Sequence, residues 1–89
     1  MKKIVLDVSN IQTKKALHIY LQYMLDLPAH YGRNLDALHD ALTEESEALR
    51  IVLAGAQHAQ GELTAYMPAL LEVLEDAAQE NEKLKVEVG

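Results

Sequence analysis

Lys3-Ile4-Val5-Leu6-Asp7-Val8 is a short, nearly continuous apolar run near the start of the chain. A run of this length reads as a strand, and its weak alternation predicts the central strand of a sheet, covered on both faces. Helical spacing follows it. Ser9 to Gln12 form a connection, Thr13 can cap a helix, and Ala16, Leu17, Tyr20, Leu21 and Met24 recur at the helical interval through about Leu25. Asp26 to Gly32 is a loop holding Pro28. Leu49-Arg50-Ile51-Val52-Leu53-Ala54 reads as a second strand, and Gly55 to Gly61 as a short Ala-rich helical turn or loop. The last helix is expected over Tyr66 to Glu80, which keeps Pro68 in the first turn, where proline is tolerated. Its inward residues are Leu70, Val73, Leu74, Ala77 and Ala78, and its outer stripe is Glu72, Glu75, Asp76 and Gln79. Leu84-Lys85-Val86-Glu87-Val88 alternates strictly, as a strand with one wet face or an edge strand does. Strands separated by helices imply parallel pairing. The expected architecture is therefore α/β: a single small domain, residues 1–89, with a three-stranded parallel sheet and helices packed around it.

Between the first helix and the second strand lies Tyr31-Gly32-Arg33-Asn34-Leu35-Asp36-Ala37-Leu38-His39-Asp40-Ala41-Leu42-Thr43. Asn34 is a good N-cap, and Gly32 relaxes the backbone where the chain turns in, so the helix should begin near Leu35. At about 100° per residue, Leu35, Ala37, Leu38, Ala41 and Leu42 fall on one side, and Asp36, His39, Asp40 and Thr43 fall on the other. Asp36 in the first turn suits the helix dipole. Asp40 does not: mid-helix aspartate with a like charge four residues away costs roughly 0.5 to 1 kcal/mol. Spacing alone leaves the pair readable as an ordinary solvated face. Paired carboxylates can also serve as general acid and base, but a convex helix in a chain this short offers no cleft around a substrate. Asp36, His39 and Asp40 could offer themselves to a metal, though without a second shell.

The segment resembles the barstar family, intracellular protein inhibitors of the bacterial ribonuclease barnase. The match rests on Leu27-Pro28, Tyr31-Gly32, Asn34-Leu35-Asp36-Ala37-Leu38 and Asp40-Ala41-Leu42-Thr43, and on the length and order of elements along nearly the whole chain. The resemblance implies a barstar-like fold in which this helix plugs a ribonuclease active site, with Asp36 and Asp40 facing cationic residues that would otherwise bind RNA phosphate. It further implies a contact surface of His30, Tyr31, Gly32 and Asn34 ahead of the helix, Thr43, Glu44 and Glu45 after it, and Asp76 from the last helix. Some of these positions depart from the family pattern. His30 replaces a tyrosine, His39 and Glu45 replace tryptophans, Glu44 replaces a glycine, and Asp76 shortens a glutamate.

Composition fits a binding protein. The 89 residues allow one core but no second domain, and without cysteine there is no disulfide framework or thiol chemistry. No leading apolar run suggests a signal peptide or membrane span, so a cytoplasmic protein is expected. The net charge of −6 is uneven: residues 1–43 carry five Lys/Arg against four Asp/Glu, and residues 44–89 carry three against ten. Such a chain avoids nucleic acid and membrane surfaces and steers toward cationic partners. No phosphate loop, nucleophile elbow or Cys/His cluster is present, so neither enzyme activity nor a cofactor or metal is expected. The expected partner is a small basic, barnase-like ribonuclease in a 1:1 complex, with the free protein a monomer. The alternative is an acidic adaptor for a basic protein that is not a nuclease.

Overall fold

Three parallel strands form the sheet in the order β1 (Lys2–Asp7), β2 (Leu49–Ala54), β3 (Leu84–Val88). The structure, a computed structural model, describes residues 2–89. Helices α1 (Lys14–Met24) and α2 (Leu35–Thr43) separate β1 from β2, and a 3₁₀ turn (Ala56–His58) followed by α3 (Leu63–Glu80) separates β2 from β3. The parallel three-stranded α/β domain read from the sequence is therefore the fold. The register sets Ile4 beside Ile51 and Leu6 beside Leu53, and on the other flank Leu49 beside Leu84 and Ile51 beside Val86. These side chains meet Leu17 and Leu21 of α1, Leu38 and Leu42 of α2, and Leu63, Met67, Leu70, Leu74 and Ala77 of α3 in one core.

Two expectations fail. β1 is an edge strand and β2 is the central one. Nor is β1 covered on both faces: Ile4 and Leu6 are buried, but Val5 between them is 47 % exposed. Its apolar run misleads because Val5 sits on the solvent face without being sheltered there. β2 holds the middle with a more alternating pattern, Leu49, Ile51 and Leu53 buried against half-buried Arg50 and Val52.

The second failure concerns the last helix, which starts at Leu63 and so places Pro68 within it rather than in its first turn. The missing N–H removes the bond that the Thr64 carbonyl would accept, a cost that the exposed proline meets at the helix surface. The start is fixed elsewhere. Glu62 N–H donates to the Gln12 carbonyl, and the Glu62 carboxylate accepts from Lys14 N–H at 2.9 Å, tying the starts of α1 and α3 together. Gly61 lies at φ +57° against this junction, where a Cβ would come within 2.5 Å of the Gln12 carbonyl oxygen. Only glycine fits there.

Candidate partner-binding surface

The N-cap of α2 is the one the sequence suggests. Asn34 Oδ1 accepts from Ala37 N–H at 2.8 Å, while Asn34 Nδ2 donates back to the Gly32 carbonyl. The left-handed residue ahead of the helix is Arg33 (φ 54°), not Gly32. Gly32 serves packing: a Cβ there would lie 3.2 Å from the Ala37 Cβ and 3.3 Å from Asn34 Nδ2. Asn34→Ala should thus cost about 1 kcal/mol of stability, the usual worth of an N-cap, with Asn34→Asp nearly neutral. Urea denaturation midpoints check this; equal losses in both variants would show that the cap bond is not what Asn34 contributes.

Contrary to the expectation of a convex helix without a cleft, the exposed side of α2 borders an open one of about 450 Å³, formed between the loop before the helix and the chain after it. Among the described residues its acidic lining is Asp26, Asp40, Glu44 and Glu45, its single basic group is His30, and no lysine or arginine lines it. Asp40 is freely presented, with 78 % of its side chain exposed. Of the residues predicted for the contact, His30, Tyr31, Gly32, Asp40, Glu44 and Glu45 meet around this cleft. Asp36 is exposed one turn before Asp40 on the same helix. Asn34 and Thr43 mainly finish the helix ends, Thr43 through a hydroxyl bond to the Asp40 carbonyl at 3.1 Å. Asp76 is exposed on α3, one turn ahead of Glu80.

Tyr31, one of the residues expected at the contact, is largely buried. It is 7 % exposed, and its hydroxyl lies 2.7 Å from His18 Nδ1. His18 Nε2 lies 2.8 Å from the hydroxyl of half-buried Tyr66, so a chain Tyr31–His18–Tyr66 pins the loop ahead of α2 to α1 and α3. Tyr31 also lines the cleft, but its hydroxyl is an anchor. Gln22 clasps the same loop from α1, donating to the Pro28 carbonyl and accepting from Arg33 Nε.

The opposite wall has its own buried clasp. Asn81, 8 % exposed at the end of α3, donates from Nδ2 to the carbonyls of Leu42 and Glu45, each at 3.0 Å. Lys83 Nζ adds a bond to the Ser46 carbonyl. Asn81 and Asp26 were not among the residues singled out from sequence. Asp26 carried a local signal: at φ 53° it follows α1 as the left-handed residue of a Schellman ending, with Leu27 N–H bonded to the Gln22 carbonyl and Asp26 N–H to that of Tyr23. Asn81 carried none, since its acceptors lie 36 and 39 residues away in sequence.

His39 leaves the line between Asp36 and Asp40. Its Nε2 pairs with Glu80 Oε2 on α3, and its Nδ1 lies 3.8 Å from Asp40 Oδ1. The bond to Glu80 first, and the charges of Glu80 and Asp40 after it, raise its pKa above the ordinary histidine value despite partial burial. His18 moves the other way because burial disfavours its charged form.

The two histidines therefore act on stability with opposite signs. The His39 contribution is full below the unfolded value of about 6.5 and fades as pH rises through its elevated folded value. For His18 the folded value is the lower one, so the native state binds fewer protons and stability falls as pH drops from about 6.5 toward that value. His18→Gln keeps a neutral hydrogen-bonding group between the tyrosines, and should flatten the loss of stability between about pH 7 and about pH 5. An unchanged acid slope in urea unfolding would assign that slope to other groups.

The fold and surface define a class: a small α/β domain with an exposed acidic helix face and an acidic cleft beside it. The family described as Barstar (barnase inhibitor) matches residues 1–89. The chain is also 38 % identical over 81 residues to the Bacillus subtilis (strain 168) protein named "Putative ribonuclease inhibitor YrdF", covering 90 % of this chain and 89 % of that one. The chain belongs to the barstar family. As a member of an inhibitor family it is a binding protein and not an enzyme.

Proposed function

We propose that this protein inhibits a small basic ribonuclease of the barnase type by seating α2 over its active site in a 1:1 complex, and that it does so in the cytoplasm. The observation that carries this reading is the distribution of charge around α2. Four carboxylates line the cleft without a lysine or arginine among them, and Asp36 extends the acidic face along the same helix. A ribonuclease must be cationic where it grips phosphates, so fixed carboxylates can occupy those donors without offering a scissile bond. Asp36 and Asp40 are one turn apart, roughly 6 Å, comparable to the spacing of neighbouring phosphates. The cleft beside Asp40 suits an arginine or lysine side chain from the enzyme. Both of its walls are held by buried bonds, from His18 and from Asn81, which limits the entropy lost on docking.

The rim favours a ribonuclease other than barnase. His30, His39, Glu44 and Glu45 stand where the family pattern has two aromatic types and a glycine, so stacking contacts give way to charge and hydrogen bonding. The rival reading, an acidic adaptor for a basic protein without nuclease activity, uses the same helix and differs in outcome. Steady-state RNA cleavage by a panel of small basic ribonucleases, barnase included, separates the two. Competitive inhibition of at least one member at micromolar protein is expected, and binding of a basic protein without inhibition of any member would favour the adaptor.

A further inference from the structure

The two edges of the sheet differ. In β1, Lys2 N–H and Val8 N–H donate toward β2, so Lys3, Val5 and Asp7 turn their backbone groups to the free edge. That edge is partly closed, because the Tyr20 hydroxyl reaches over from α1 and accepts from Asp7 N–H at 3.0 Å. In β3, Leu49 N–H bonds to the Lys83 carbonyl and Gly89 N–H to the Leu53 carbonyl, which turns odd-numbered residues toward β2. Val86 and Val88 therefore present N–H and C=O outward. Among the described residues no loop or side chain bonds to those N–H groups, and Val88 is 51 % exposed.

Charge on the solvent face sharpens the point. The register aligns Lys3, Arg50 and Lys85 in one row across all three strands, an unfavourable line of like charges. Glu87 relieves Arg50, with Oε1 3.4 Å from an otherwise unpartnered, buried Nε. No carboxylate among the described residues lies within ion-pair distance of Lys85.

We propose that β3 is a self-association edge, pairing antiparallel with β3 of a second copy in the register that sets Val86 against its twin. The sequence Leu84-Lys85-Val86-Glu87-Val88 is palindromic in character about Val86, which is what a two-fold contact requires. In this register the two Val86 residues exchange backbone bonds, Val88 lies against Leu84, and Lys85 lies opposite Glu87. Lys85 and Glu87 then form the non-hydrogen-bonded pair, whose side chains approach most closely. Glu87 bridges Arg50 of its own chain and Lys85 of the other, ending the isolation of that lysine. Charge also selects the register: centring the pair on Lys85 or on Glu87 instead would set like charges opposite each other. No residue lining the acidic cleft belongs to β3, so the paired form keeps that cleft for its own partner.

Sedimentation velocity of the full chain at low salt, from about 10 µM to about 1 mM, tests this across the range where a small interface associates. The mass should rise toward that of a dimer. Lys85→Glu and Glu87→Lys should each weaken association at least about fivefold, and the double variant, which restores opposite charges, should return it to within about twofold. Amide exchange of the unaltered protein supplies a second readout, with protection of Val86 and Val88 growing with concentration. A protein still monomeric at the highest concentration, an association indifferent to both single variants, or a double variant that fails to recover would each overturn the proposal.

Discussion

Asp40→Ala is expected to weaken binding to the target ribonuclease by at least about 2 kcal/mol, roughly thirtyfold, while Glu82→Ala leaves affinity nearly unchanged. The size is that of charged hot spots at protein interfaces generally, the barnase–barstar pair included. The reason lies in the complex rather than in the free protein. Asp40 is exposed when unbound, so removing it leaves the fold intact and even relieves an unfavourable mid-helix aspartate. In the proposed complex it would lie beside the cleft at the centre of the acidic face, where truncation would leave cationic groups of the enzyme desolvated and unpaired. Glu82 is exposed beyond the end of α3 and contributes at most long-range attraction. Calorimetric titration of both variants against one inhibited ribonuclease decides it. Equal losses, or a loss at Glu82 alone, would show that α2 is not the contact element.

The parts of this molecule that were legible in the sequence are those specified within a few residues. Thr13 and Asn34 cap their helices through bonds three residues ahead, and β2 and β3 begin and end where their patterns do. What eluded the sequence depended on contacts distant along the chain. Strand order is one case, since whether Val5 is sheltered depends on which strand lies beside β1 and on which face the helices cover. The start of α3 is another: Leu63 belongs to the helix because Glu62 is tied to Gln12 and Lys14 some fifty residues earlier, and Pro68 was a stronger local signal for a later start. At the candidate surface Asp36 and Asp40 were readable from helical spacing, Glu44, Glu45 and Asp76 only through the family resemblance, and Asp26 through neither. The buried polar clasps were not readable, because a histidine between two tyrosines and an asparagine beneath a loop look like surface residues until the chain folds around them.

Affinity for the ribonuclease should fall tenfold or more as pH drops from about 7.5 to about 5.5, and His39→Gln should remove a large part of that fall. Two carboxylates set the state of His39 before docking, and a third precedes it on α2. Glu80 holds its Nε2 from α3, Asp40 lies 3.8 Å from its Nδ1, and Asp36 stands three residues earlier on the same helix. The first two raise its pKa, so at a given pH the free protein carries more imidazolium at this position than an ordinary histidine would. A cationic active site placed over Asp36 and Asp40 acts in the opposite sense, lowering the value in the complex. Binding then releases a proton, and by linkage affinity rises with pH between the bound and free values and is lost as pH falls through that interval. One released proton allows at most about a tenfold change per pH unit, which bounds the effect over the two units tested. Glu80 is the discriminating neighbour. Glu80→Gln removes the main cause of the raised value, so its affinity profile should begin to fall at lower pH than that of the unaltered protein. Ribonucleases contribute titrating histidines of their own, so all three proteins must be measured against the same enzyme. Parallel curves for the unaltered protein and His39→Gln would make the α2–α3 bridge a purely structural link that the bound enzyme does not sense.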